Sequence, residues 1–470
     1  MESKKISLLS MIMFGICSLV VLYTWSASAA RGTHGLGVWI IMAFAFLIPN
    51  CLTVSELGST YVEDGGISLW VTKAFGPVPG SVVGWFYWVN YVFGLPLVFI
   101  TIMGNLQAFF FPNLSSLAQM AGTIGLIWFT VIVGICNSGL TQKICAFGGN
   151  VVAGILAVIV ALAVIFCIKN GGTATHFTLS GIIPSWSMFV DFAPVVVFNL
   201  LGFELISSVA SQCDNPQKNV PKFTTITGII VGLAYVMATV AIMAIIPESQ
   251  VDSVNGIVDA VQIAAVSIGG EALGKVLTSL IVIAIVYGLA ASGIAWAFGT
   301  SAVISSAGLG EKSAILGHKN KKYGTPDYAY LIMGIFGTAY TVLSFAGGDS
   351  INAIYDFIFC FSSMLFMTPY VFMYPSLIRL RKIDPDRERP YKVPGGNIGV
   401  WVCGLLPTIS VIFAIVGLSL PAEGVANPGM QLLKSWGGFA VITLIGILLH
   451  YNGERKAKKA ASESLSGGNI

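Results

Sequence analysis

The sequence predicts an all-α integral membrane protein of about twelve spanning helices, and three observations carry that prediction. Only 10% of the 470 residues are charged, whereas an average soluble chain has roughly 25%. Mean hydropathy is +0.85, and apolar runs recur along the chain, many reaching the roughly 20 residues that a spanning helix needs. Basic residues also collect on one side once the runs are counted off.

The runs fall near 7–29, 37–58, 80–110, 118–138, 143–168, 187–210, 222–247, 272–308, 327–347, 352–378, 395–420 and 434–451. With a cytoplasmic N-terminus, 20 of the 24 Lys and Arg lie on the inner side, and only Arg31, Lys169, Lys275 and Lys434 lie outside. A miscounted span would scramble this asymmetry, so both termini are expected in the cytoplasm. The expected setting is a plasma membrane (the inner membrane of a bacterium), with the lipid bilayer as solvent. Residues 1–452 read as one transmembrane domain and 453–470 as a cytoplasmic tail, whose sequence AASESLSGGNI is expected to be disordered. The loop after the seventh run is acidic (Glu248, Asp252, Asp259, Glu271), with room for a short helix. The inner loop RLRKIDPDRERPYKVPGG is basic, and Glu56, ending the second run, reads as a loop anchor.

Several function classes fall away. The eight Cys are scattered with no CxxC pair, which indicates neither a disulfide framework nor a metal site. A net charge of +3 suggests no nucleic-acid surface. GGEALGKV at 269–276 fits a phosphate-binding loop only until Val276, where Ser or Thr is required, and no cofactor is expected. The four His are dispersed, against an enzyme with paired catalytic groups at membrane depth. A channel would need a ring of selectivity groups, and no such pattern appears.

Runs 1 and 6 are unusual. The sixth holds Pro194, Asn199 and Gly202, and the first holds Gly15, Cys17, Ser18, Thr24 and Ser26. Interrupted spans at matching places in two halves point to a transporter built from inverted repeats, and a spacing of about 180 residues fits five helices plus five with two extra. Unwound backbone at the midplane frees N–H and C=O groups for a ligand. Glu204 and Asp356 lie within apolar runs, where a carboxylate is costly and by default functional. Glu204 either changes protonation state or orients a gate during transport, or else is a neutral group bonded across two helices. Asp356 either holds an ammonium from the outer side or meets interfacial water. Asn199 either contacts a ligand or bonds another helix.

Four stretches carry a resemblance: SELGSTYVEDGGISLWVTKAFGP, FNLLGFELISSVASQCDNPQKNVP, GIAWAFGTSAVISSAG and GWFYWVNY. In these the chain resembles the amino acid–polyamine–organocation transporters, and within them bacterial antiporters of the glutamate/GABA and arginine/agmatine type. The resemblance implies a LeuT-like 5+5 inverted repeat with broken helices 1 and 6. Repeat one would cover about 7–168 and repeat two about 187–378, with two extra helices at about 395–451. It implies alternating access and antiport of an amino acid and/or its decarboxylated amine; the alternative is a proton-coupled amino-acid or polyamine symporter. Carried over residue by residue, the carboxylate-binding turn falls on Cys17, Ser18, Leu19, Val20 and Val21. Aromatic contacts fall on Phe198, Trp296 and Tyr87, and a gating or coupling role on Glu204. The first run, ICSLVVLYTW, lacks the glycine-rich turn of many members. The fifth, GGNVVAGILAVI, lacks the Lys of proton-coupled members, which favours exchange. Similar exchangers include homodimers, and that state is left open here.

Overall fold

The computed structural model describes residues 5–466 apart from 137, 307, 347–350 and 421–427. Helices α1 (Leu8–Leu19) and α2 (Tyr23–Ala29) form one span bent by 56°. Helix α3 (Gly32–Met42) passes through a π turn at Ala43–Leu47 into α4 (Ile48–Thr60). After α5 (Gly66–Phe75) come α6 (Pro77–Phe109), α7 (Ser116–Cys136), α8 (Ser138–Asn170) and the short α9 (Leu179–Ile182). Helix α10 (Trp186–Asn199) stops at a break and resumes as a 3₁₀ segment, Phe203–Gln212. Then follow α11 (Pro216–Ile245), α12 (Gly256–Ser306), α13 (Leu309–Lys312), α14 (Asp327–Ala346), α15 (Ile351–Ile383), α16 (Gly396–Ser419) and α17 (Pro428–Ser466).

Among the described residues ten helical stretches are long and apolar enough to cross a bilayer, and the bent α1–α2 pair makes an eleventh. Helix α15, with 33 residues, lies over the tenth expected run. Large apolar side chains such as Phe129, Ile168, Ile229, Leu343 and Leu444 are exposed around the rim. Such a belt would be a liability in water, and in hydrocarbon it is solvated.

Two elements differ from expectation, and a third meets it. The tail forms helix through Ser466 instead of disorder, because ERKAKKA is rich in strong helix formers that prolong an existing helix. Helix α5 was hidden by its length. It is too short to span, but Ile67, Trp70, Val71 and Ala74 form one buried face at helical spacing. Its ends are set by Gly65 (φ 115°) and Gly76 (φ 97°). Helix α12 breaks at Gly269 and Gly270 (φ 80°), so residues 256–268 form the short helix for which the acidic loop had room.

The side of the molecule carrying the N-terminus is tied shut. The Ile6 N–H donates to Gln212 O at 2.8 Å, and Asp214 N–H donates back to Ile6 O at 2.9 Å. Asp64 accepts from the Ser211 N–H at 2.8 Å and its hydroxyl at 2.7 Å. Glu56, only 1% exposed, holds the α15–α16 loop. Its carboxylate accepts two guanidinium N–H bonds from Arg381 at 2.5 and 2.7 Å, and the Val393 N–H at 2.7 Å. Arg389 Nε lies 3.4 Å away and spends its other donors on loop carbonyls, among them Asp384 O and Arg387 O.

Removing one member of a buried ion pair strands the other charge, at a cost of about 3–5 kcal/mol. Glu56→Ala should therefore lower Tm sharply in detergent, and Glu56→Gln, which still accepts hydrogen bonds, should lower it less. Equal Tm in all three proteins would show that the loop is held by something else.

Candidate substrate site

The site is built on two breaks in membrane helices, each of which exposes backbone groups that hydrocarbon cannot satisfy. In the first span Val20 turns to extended geometry (φ −89°, ψ 104°) without help from glycine or proline. A phenol from α11 makes this workable. The Val21 N–H donates to Tyr235 Oη at 3.0 Å, and the Tyr235 hydroxyl faces Leu19 O at 3.1 Å and Asn199 Oδ1 at 3.2 Å. Trp39 stacks on Tyr235 with ring centroids 4.1 Å apart and fixes the phenol in place.

The sixth span breaks at Leu200–Gly202. Gly202 has φ +103°, and a Cβ there would come within 2.7 Å of the Trp296 ring and 2.9 Å of Leu19. Glycine is thus required both by conformation and by space. The Asn50 amide donates to Leu200 O at 2.9 Å, and Asn50 is oriented in turn by Tyr374 O–H. The two breaks are also joined to each other, since the Thr24 hydroxyl donates to Asn199 Oδ1 at 2.9 Å. Trp296 touches both: its indole N–H donates to Ser18 O at 2.8 Å while its ring covers Gly202.

Beside this junction is a cavity of about 140 Å³, walled mainly by apolar groups. Ser18, Leu19, Val20, Val21, Phe198, Asn199 and Trp296 line it, as do Tyr91 of the stretch GWFYWVNY, and Asn90 and Phe366, which the sequence did not single out. Cys17 is not in the lining; it is buried against Gly148 of α8. The Asn199 side chain borders the cavity with its oxygen held by Thr24 and its amide donating to Val195 O at 2.7 Å. The backbone of Asp356 lies in α15, and its side chain is outside the described residues.

Aromatic rings form the cavity floor. Phe366 stands edge-on to Trp296 at 5.2 Å and to Phe198 at 5.4 Å, and Tyr87 lies 6.3 Å from both Trp296 and Phe366. Glu204 lies beyond that floor, in the segment leading to the closed end, and is 1% exposed. Its Oε1 accepts the phenols of Tyr87 and Tyr370, each at 2.6 Å, and Oε2 has no hydrogen-bond partner among the described residues. The carboxyl thus cross-links α6, α15 and the 3₁₀ segment. Tyr87 belongs to this cross-link and not to the cavity lining.

Asn50 and Asn90 could have been flagged as Asn199 was, as amides inside apolar runs. Tyr235 and Tyr370 carry no comparable signal, because tyrosines are common in membrane helices and their partners are far away in sequence.

The sequence profile of amino acid permeases matches residues 6–448. The chain belongs to the amino acid permease family. This permease is 29% identical over 422 residues to the "Probable agmatine/putrescine antiporter AguD" of Lactococcus lactis, with 89% of each chain covered. It is 22% identical to the glutamate/gamma-aminobutyrate antiporter of the same organism, covering 96% of this chain and 92% of the relative. Among solved structures a mutant of the Eremococcus coleocola manganese transporter matches with a TM-score of 0.61 at 12% identity, covering 97% and 95% of the two chains. That likeness is one of fold. It accords with the LeuT-like arrangement expected from the sequence, broken first and sixth spans included. The permease is a multi-pass membrane transporter and not an enzyme.

Tyr235→Phe would leave the Val21 N–H and the Leu19 carbonyl without their shared partner. A buried unsatisfied group costs about 1–3 kcal/mol, so the variant should melt measurably below the parent in a detergent thermal-shift assay. An unchanged Tm would mean that the break does not depend on this phenol.

Proposed function

We propose that the permease exchanges an amino acid and/or its decarboxylated amine across the plasma membrane, with both termini in the cytoplasm. One observation supports this best: a cavity at the meeting point of two broken helices, cut off from the N-terminal side by an aromatic floor and a buried carboxyl. The two L. lactis relatives are both named as antiporters, and the fifth span carries no Lys in GGNVVAGILAVI.

In the proposed cycle the ligand enters from the side opposite the N-terminus. A carboxylate meets the N–H groups freed around Leu19–Leu22, and an ammonium meets freed carbonyls of the two breaks. Phe198 and Trp296 close over it. Rearrangement of α1 and the 3₁₀ segment then parts the floor, which requires the Glu204 bonds to Tyr87 and Tyr370 to break. Because Oε2 is unpartnered, a proton can be added there without displacing either phenol from Oε1. Protonation weakens both, since hydrogen bonds to an ionised acceptor are about twice as strong as neutral ones. Glu204 thereby ties floor opening to proton availability.

Two measurements follow. Counterflow in proteoliposomes, screened with labelled amino acids and amines, should show uptake only when unlabelled ligand is inside; uptake into empty vesicles driven by an inward proton gradient would establish the symport alternative. Glu204→Gln should keep fold and ligand binding but flatten the pH dependence of transport, and a pH profile identical to the parent's would remove Glu204 from the cycle.

A further inference from the structure

A second cavity, of about 260 Å³, lies at the end of the bundle opposite the N-terminus, between the last turn of α6 and the two arms of α12. Phe109 and Phe110 wall it from the end of α6, Gln262 from the short arm of α12, and Lys275, Thr278 and Ser279 from the long arm. Among the described residues every polar side chain in this lining carries an N–H or O–H donor, and no Asp or Glu is among them. Asp259 and Glu271 flank these donors in sequence, but neither is in the lining. None of the four polar side chains has a hydrogen-bond or ion-pair partner among the described residues.

That is unusual for this protein. Other helical hydroxyls fold back onto their own helix: Thr101 donates to Leu97 O at 2.9 Å, Thr130 to Leu126 O at 3.0 Å and Thr300 to Trp296 O at 2.8 Å. Thr278 does not, although its Oγ1 is buried. The surface beside the cavity is apolar, with Leu273, Val276, Leu280 and Ile283 exposed along the same stretch of α12. This stretch therefore faces the bilayer. Lys275 follows the break at Gly270 by little more than one turn, about 7 Å along the helix, which sets it near the headgroups of that leaflet. Stranded donors are costly where water is scarce. Lys275 can extend to water, but the hydroxyl of Thr278 cannot. The bilayer itself supplies an anion at this depth. We propose that the cavity binds the phosphate headgroup of an anionic phospholipid. Lys275 supplies the counter-charge, with Gln262, Ser279 and, after rotation about χ1, Thr278 as donors to the phosphate oxygens. A headgroup bearing its own amine would bring a second cation against Lys275, which favours phosphatidylglycerol over zwitterionic lipids. Gln262 and Lys275 stand on opposite sides of the break at Gly269 and Gly270, so one headgroup held by both would brace that break. The short arm is tied in turn to the first span, through the Ile257 N–H donating to Ser26 Oγ at 3.0 Å. Nothing in this proposal depends on which ligand the permease carries.

The test is native mass spectrometry of the full-length protein in detergent, titrated with phosphatidylglycerol or with phosphatidylcholine of the same acyl chains. The parent should bind its first phosphatidylglycerol at least about tenfold more tightly, the least expected of a hydrogen bond to a charged group. Lys275→Ala should reduce that preference to near one, and Lys275→Arg should keep it. Lys434→Ala, which removes another basic residue from the same side of the membrane, should change nothing. Lys275 is exposed and unpaired among the described residues, so the lipid-free variants should melt as the parent does. Parent-like preference in Lys275→Ala, or an equal loss in Lys434→Ala, would overturn the site. Release of bound phosphatidylglycerol by excess inorganic phosphate would overturn the lipid assignment and leave a site for a free anion.

Discussion

Everything in this molecule depends on how it satisfies the backbone at two places where helices stop inside a membrane. Water is absent there, so each freed N–H or C=O needs a partner from the protein. The partners are few and each is held from behind. Tyr235 serves the first break and is clamped by Trp39. Asn50 serves the second and is aimed by Tyr374. Asn199 and Thr24 join the two. These contacts come from α2, α3, α4, α10, α11 and α15, so the broken helices depend on the whole bundle for their shape. The same requirement explains Gly202, where backbone conformation and the approach of Trp296 both exclude a side chain.

The site also separates its charges. Among the described residues the cavity is lined by neutral groups, and the buried carboxyl of Glu204 lies behind a layer of aromatic rings. A buried carboxyl in direct contact with a cationic ligand would bind it tightly and release it slowly. In the proposed cycle the carboxyl, set behind Tyr87 and Tyr370, acts on the rings and leaves the ligand to weaker contacts. Binding and control of the floor then fall to different residues, linked through Tyr87 and its neighbours Trp296 and Phe366.

Much of the architecture was legible in the sequence, because bilayer thickness turns hydropathy into helix length and the basic residues confirm the count. The break at Gly202 announced itself through Pro194, Asn199 and Gly202. The break in the first span was legible only through the small and polar residues around it (Gly15, Cys17, Ser18, Thr24, Ser26), since ICSLVVLYTW contains no residue that ends a helix, and the Tyr235 that allows the break is 214 positions from Val21. Helix α5 was missed because it is buried but does not span. The tail was misread because its composition resembles a solvated segment, and only attachment to α17 makes it helical. Of the site residues read from sequence, Glu204 and Tyr87 are drawn together into one cross-link, which no spacing argument could have found.

The seam that closes the N-terminal side has a thermodynamic consequence. The Ile6 pairing with Gln212 and Asp214 and the grip of Asp64 on Ser211 are hydrogen bonds, the latter at the molecular surface. Parting them trades each bond for one to water, at a net cost of only about 0.5–1.5 kcal/mol apiece. Parting them also uncovers the buried side chains of Ile6, Val209 and Cys213, and it is apolar exposure that gives unfolding its large heat capacity. The polar part of this seam therefore sets a shallow equilibrium, and the apolar part makes that equilibrium depend on temperature.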